Sequence, residues 1–148
     1  MSLPTAEIQS GFMTRYRADA TLQGLLVGSV APTWNIFDAD GVPTAQPFPY
    51  VVVQPITSNL GTAFTMGMDG VDTYVQVSVL TQTGATGGFG QARAIAKQIY
   101  KLTHPHPLDL SASGFSQFLL LFDDEQELPQ GDGLSQMITH RYKLMTQG

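Results

Sequence analysis

Between Val71 and Leu102 the hydrophobic period of the chain changes once, and that change constrains everything built around it. Val75, Val77 and Val79 alternate with Tyr74, Gln76 and Ser78, the two-residue period of a strand with one buried face. Thr81 to Gly90 then carries Gly84, Gly87, Gly88 and Gly90, more glycine than either a strand or a helix sustains. From Gln91 onward Ala92, Ile95, Ala96, Ile99 and Leu102 fall at helical spacing, with Arg93, Lys97 and Lys101 on a separate stripe. A strand and a helix that each have one apolar side can cover one another. The rest of the chain is therefore expected to add strands to that sheet and a second helix to its cover.

The 148 residues suit one domain spanning the whole chain, 1–148, which can bury roughly two-thirds of its unfolded surface without staples. There is no cysteine, so disulfides and thiolate metal sites are excluded, in keeping with synthesis in a reducing cytosol. Only 13% of residues are charged, well below the usual quarter or so, which suggests a surface partly covered by neighbours. The net charge of −5 argues against binding that depends on neutralising phosphates. It does not exclude a wall that DNA slides past. No apolar run approaches the roughly 20 residues needed to span a membrane, and the N-terminus lacks the pattern of a secretion signal.

Ser2 and Thr5 are candidate caps of a first helix, with Pro4 in its first turn. Ile8, Phe12, Met13, Tyr16, Ala20 and Leu22 to Leu26 form its apolar stripe, and it is expected to end between Gly24 and Gly28. Arg15 and Arg17 read as solvated. Trp34 to Asp38 reads as a short strand, with Trp34 filling a core or an interface. A proline-rich connection from Gly41 to Pro49 follows, and Phe48 to Val53 opens a strong strand. Pro49 and Pro55 place that strand at an edge or end its pairing early.

Thr57 to Gly70 has neither period, carries one charged residue, and contains Leu60, Phe64, Met66 and Met68. A long loop in a small domain is usually functional, and gathered apolar side chains point to contact with another chain. Beyond the central helix, His104-Pro105-His106-Pro107 reads as an exposed turn; no cysteine or carboxylate cluster accompanies it to make a metal site. Phe115 to Phe122 is a nearly continuous apolar run suited to a strand covered on both faces. Ser135 to Met145 is the last strand, with Ile138, His140, Tyr142 and Leu144 on one side. The two runs form an antiparallel hairpin whose extended tip holds Asp123, Asp124, Glu125 and Glu127.

Chemistry is sparse. The acidic run lacks the regular oxygen-ligand spacing of an EF-hand loop and reads as a solvated tip, and no Gly-x-Ser-x-Gly nucleophile elbow occurs. The glycines of Gly84 to Gly90 are not followed by Lys-Ser or Lys-Thr, so a flexible strand-to-helix connection explains them better than a phosphate loop. No catalytic residue, cofactor or metal is assigned. The stripe Arg93, Lys97, Lys101 could meet the acidic tip of another subunit.

The order of elements carries a resemblance. A helix ending near Leu25-Leu26-Val27-Gly28 is followed by Trp34-Asn35-Ile36-Phe37-Asp38 and a proline-rich linker. Then come Phe48-Pro49-Tyr50-Val51-Val52-Val53, the strand around Val75 to Val79, and a helix with Ala92-x-x-Ile95-Ala96. From about Ile8 to Thr146 this resembles the tail-completion, or tail-terminator, family of long-tailed bacteriophages. The linker before Phe48 and the Leu60 to Met68 loop depart from the family's pattern.

The resemblance implies an α+β fold, an antiparallel sheet of about four to five strands packed by two helices, and no enzymatic activity. It implies a structural virion protein of the tail and neck, assembled in the host cytoplasm. Its partners would be other copies of itself in a ring, usually a hexamer, the tail tube protein, and a head-side connector or head-closure protein. DNA would pass through without sequence-specific binding, and no membrane would be involved. The alternatives are a head-closure component of the neck, a small metal-binding or hydrolytic enzyme using Asp123 to Glu127 and His104/His106, and a sequence-specific DNA-binding module. The last is disfavoured by the acidic charge. For the interface, the candidates are Leu60, Phe64, Met66 and Met68, the basic stripe Arg93, Lys97 and Lys101, the acidic set Asp123, Asp124, Glu125 and Glu127, and the edge near Phe48 to Pro55.

Overall fold

A computed structural model describes residues 5–60, 70–82, 89–104, 106, 108, 116–129 and 135–147. The order of elements is α1 (Thr5–Arg17), α2 (Ala20–Leu25), β1 (Ile36–Asp38), β2 (Tyr50–Leu60), β3 (Gly70–Gln82), α3 (Phe89–Thr103), β4 (Ser116–Pro129) and β5 (Ser135–Gln147). The five strands form one sheet in the order β1-β2-β3-β5-β4. The fold is α+β: a mixed, mostly antiparallel sheet with three helices, two of them substantial. β1 breaks the antiparallel pattern, because it runs parallel to β2, with Ile36 beside Val51 and Asp38 beside Val53.

The change of period at the centre of the chain becomes β3 and α3. Val75, Val77 and Val79 are buried, and so are Ala92, Ile95, Ala96 and Ile99, so the strand face and helix stripe do cover each other. From α1, Ile8, Phe12 and Tyr16 enter the same core, with Leu22 and Leu26 from the α2 region and Ile138, Tyr142 and Leu144 from β5. Each fully buried Leu, Ile, Val or Phe contributes roughly 1.5–3 kcal/mol relative to exposure. Phe12 lies edge-on to Tyr16 at 5.8 Å and tilted to Tyr142 at 6.2 Å, which joins the helical layer to the sheet.

Several expectations are corrected. The first helix is two helices, because Asp19 takes an extended conformation (φ −89°, ψ 115°) and its carboxylate accepts from Leu22 N at 2.8 Å, which caps α2. The strand expected from Trp34 begins at Ile36, since Trp34 and Asn35 both have left-handed φ (53° and 59°). β2 does not stop at Thr57. It continues to Leu60, opposite Val71 to Tyr74, past a bulge between Pro55 and Thr57.

Nor is β2 a free edge near Phe48 to Pro55: Val51 to Val53 carry β1 on one side and β3 on the other. The edge opens only past Val53, where Pro55 has no N–H to offer. β4 is the other edge strand; of the run expected to be covered on both faces, Leu120 is buried and Leu121 and Phe122 are half-buried.

Candidate functional site

Arg93, Lys97 and Lys101 repeat every four residues along α3 and are all exposed, as the spacing predicts. The acidic run has a different place from the one expected. Asp123 to Glu127 lies within β4, not at a hairpin tip, opposite Ile138 to Arg141 of β5. The ladder absorbs the charges with a bulge between Phe122 and Asp124, and acidic side chains on an edge strand discourage unwanted pairing.

The bulge and the pleat divide the carboxylates. Glu125 and Glu127 fall opposite His140 and Ile138, on the face the helices cover. Glu127 meets Arg93 of α3 in a bidentate pair, Nε to Oε1 at 2.7 Å and a terminal guanidinium nitrogen to Oε2 at 2.8 Å. Those hydrogen bonds hold the Glu127 carboxyl below its ordinary range and raise Arg93. Asp124 faces the other way, opposite Arg141, whose guanidinium lies 3.9 Å from Asp123.

Arg93 is thus already engaged inside one chain. Neither Lys97 nor Lys101 forms an ion pair with any described residue. Leu60 closes β2, and Phe64, Met66 and Met68 lie outside the described residues. So do Gly84, Gly87 and Gly88.

Glu125 takes part in a polar chain that sequence reasoning did not foresee. His140 is buried, with Nε2 2.9 Å from Glu125 Oε1 and Nδ1 2.9 Å from the Tyr142 hydroxyl. A carboxylate only accepts, so Nε2 donates to it, while Nδ1 shares a hydrogen bond with the Tyr142 hydroxyl. Burial raises the Tyr142 phenol. The Tyr142 phenol is also within hydrogen-bond reach of Thr103, which donates to Ile99 O and takes a hydrogen bond from the Tyr16 hydroxyl, both at 2.6 Å. The alternation of β5 placed His140 on the inner face, but its carboxylate partner depended on where the bulge falls.

His104 is not the exposed turn residue expected. It is half-buried, its Nδ1 accepts from Phe122 N at 2.9 Å, and its ring stacks on Tyr100 at 5.3 Å. His106 is exposed. Among the described residues no group of three or more His, Cys, Asp or Glu could hold a metal ion, and no helix is long and apolar enough to cross a membrane.

Arg15 and Arg17 are half-buried instead of solvated. Arg15 donates to Leu102 O and His106 O at the end of α3, and its burial lowers its pKa. Arg17 donates to Thr33 O and Ile36 O, which fastens the start of β1. Positive charge at the last carbonyls of α3 also suits the helix dipole.

Residues 13–146 match the family described as "Tail completion protein gp17". Among solved structures, a chain described as "Virion of native gene transfer agent (GTA) particle" is similar with a TM-score of 0.73 at 21% identity, over 99% of this chain and 100% of that one. No curated protein matches.

Proposed function

We infer the role of this chain from its membership: it belongs to the family of tail completion protein gp17, whose match spans residues 13–146. It is a structural tail completion protein of a phage-like virion, a role that implies no catalysis. We read it as the subunit of a ring, a hexamer, that ends the tail tube and joins it to the head-side connector while DNA passes through. The observation that carries this reading is the family match, which takes in every strand and α3. The chain of like fold described from a gene transfer agent virion supports a place in the particle.

The physical character of the molecule agrees. A net charge of −5 suits a conduit that must not retain DNA. A ring needs two different patches that meet around a closing rotation. Lys97 and Lys101 on α3 offer one charged patch, and Asp123 and Asp124 at the β4 edge offer another. The Leu60, Phe64, Met66 and Met68 stretch offers an apolar one.

Two measurements test the reading. The mass of the purified protein, alone and on tail tubes, is expected to show hexamers or monomers that close into rings on tubes. A lasting monomer in both settings would overturn the ring. Electron microscopy of particles made without this protein should show overlong tails, or tails detached from full heads. Normal tails attached to full heads would remove the tail-completion role, and correct-length tails attached to leaking heads would move the protein to head closure.

A further inference from the structure

A line of polar side chains crosses the interior from the β4 edge to α1: Glu125, His140, Tyr142, Thr103 and Tyr16. The last four are buried, whereas the Glu125 side chain is 46% exposed. Glu125 Oε1 lies 2.9 Å from His140 Nε2, and His140 Nδ1 lies 2.9 Å from the Tyr142 hydroxyl. Tyr142 is in turn within hydrogen-bond reach of Thr103, whose Oγ1 is 2.6 Å from both the Tyr16 hydroxyl and Ile99 O.

The supply of protons fixes the direction of each bond. A carbonyl only accepts, so the single Thr103 proton goes to Ile99 O. The two lone pairs of Thr103 then accept, one from Tyr16 and one from Tyr142. Both phenols keep their protons at neutral pH, because burial raises each of them. The one Tyr142 proton is thereby committed to Thr103, and the phenol oxygen faces Nδ1 as an acceptor. Nδ1 needs a proton of its own, while Nε2 on the far side of the ring donates to a carboxylate.

We propose that His140 holds both ring protons in the folded chain at neutral pH, as an imidazolium paired with Glu125, and that the second proton latches the sheet to the helical layer. If that proton leaves to water, the Tyr142 proton turns to the bare Nδ1 and the link from Tyr142 to Thr103 is given up. The tie between β5 and α3 through these side chains thus depends on the proton. Among the described residues, the charged and titratable groups around the ring come from four sides. They are Glu125 of β4, with Glu127 and Arg93 beyond it; Tyr142 of β5; Tyr100 of α3 and His104 just past it; and Tyr16 of α1. β3 places Val77 opposite His140, which does not titrate. His104 supplies a contrast, because its Nδ1 accepts from Phe122 N at 2.9 Å and is therefore bare.

Nitrogen NMR of histidine-labelled protein reads each ring nitrogen directly, and His106→Ala identifies the signals of the exposed ring. At about pH 7.5, where an ordinary imidazole is mostly neutral, His140 is expected to show two protonated nitrogens and His104 a bare Nδ1. A bare Nδ1 on His140 overturns the proposal. Thr103→Val removes the acceptor and frees the Tyr142 proton for the ring, so His140 should lose its Nδ1 proton, whereas Thr103→Ser, which keeps the hydroxyl, should retain it. Tyr142→Phe, which leaves Nδ1 nothing to donate to, should also give a bare Nδ1 and serves where Thr103→Val does not fold. Both ring protons retained in either variant would mean that the hydroxyl line does not set the charge of His140, and the proposal falls.

Discussion

Thr103 has a single hydroxyl with three partners: it donates to Ile99 O within α3, accepts from Tyr16 of α1, and lies within hydrogen-bond reach of the Tyr142 phenol of β5, all out of reach of water. Thr103→Val keeps the shape but leaves the Tyr16 hydroxyl buried without that acceptor, a cost of about 1–3 kcal/mol. Tyr16→Phe removes the donor and leaves the Thr103 proton placed, a cost of roughly 0.5–1.5 kcal/mol. Urea unfolding should therefore rank Thr103→Val as the more damaging change, with the double variant less destabilised than the sum of the two. The same pair predicts an alkaline limit. Burial raises the Tyr16 phenol in the folded chain, while the unfolded phenol titrates near about 10. Its contribution is complete below that pH and is lost above it, where the unfolded state releases the proton first. Tyr16→Phe should flatten the fall in stability above about pH 10, with the raised Tyr142 and Tyr50 phenols contributing to the slope that remains.

The break between α1 and α2 shows what periodicity can and cannot carry. The apolar stripe from Ile8 to Leu26 runs through the break in helical register, so nothing in it announces Asp19 as a cap. Asp19 also accepts from Gln98 Nε2 of α3 at 3.0 Å, so one carboxylate both starts α2 and ties it to the central helix. Asp19→Ala should cost about 0.5–2 kcal/mol in chemical unfolding, and Asp19→Asn, which can still cap, should recover most of it. A cost equal for both would point to the charge and not to the cap. The strands divide along the same line. β3, α3 and β5 were legible because each alternates or repeats against a single core. The reach of β4 to Pro129 was not, because its second half is acidic and its place at the edge is set by partners distant in sequence. β1 was read two residues too long, since the left-handed turn at Trp34 and Asn35 leaves no hydrophobic signature.

For the molecule as a whole, the distribution of charge says more than its total. The basic stripe was legible from spacing four, yet its members have separate fates that only packing decides. Arg93 is drawn to Glu127 because β4 runs beside α3, whereas Lys97 and Lys101 stay exposed on the same helix. Reversing Arg93 would set like charges together inside one chain and disturb the α3–β4 contact itself. Reversing Lys97 and Lys101 breaks no ion pair to a described residue, so Lys97→Glu/Lys101→Glu isolates what those charges do between copies. If they meet the Asp123 and Asp124 edge of a neighbour, the double variant should assemble at higher protein concentration than wild type at low salt. That gap should close as ionic strength rises and the Debye length falls below about 8 Å. Sedimentation across a salt series reads both effects, with folding checked by circular dichroism. Assembly that matches wild type at low salt would remove the charged stripe from the interface.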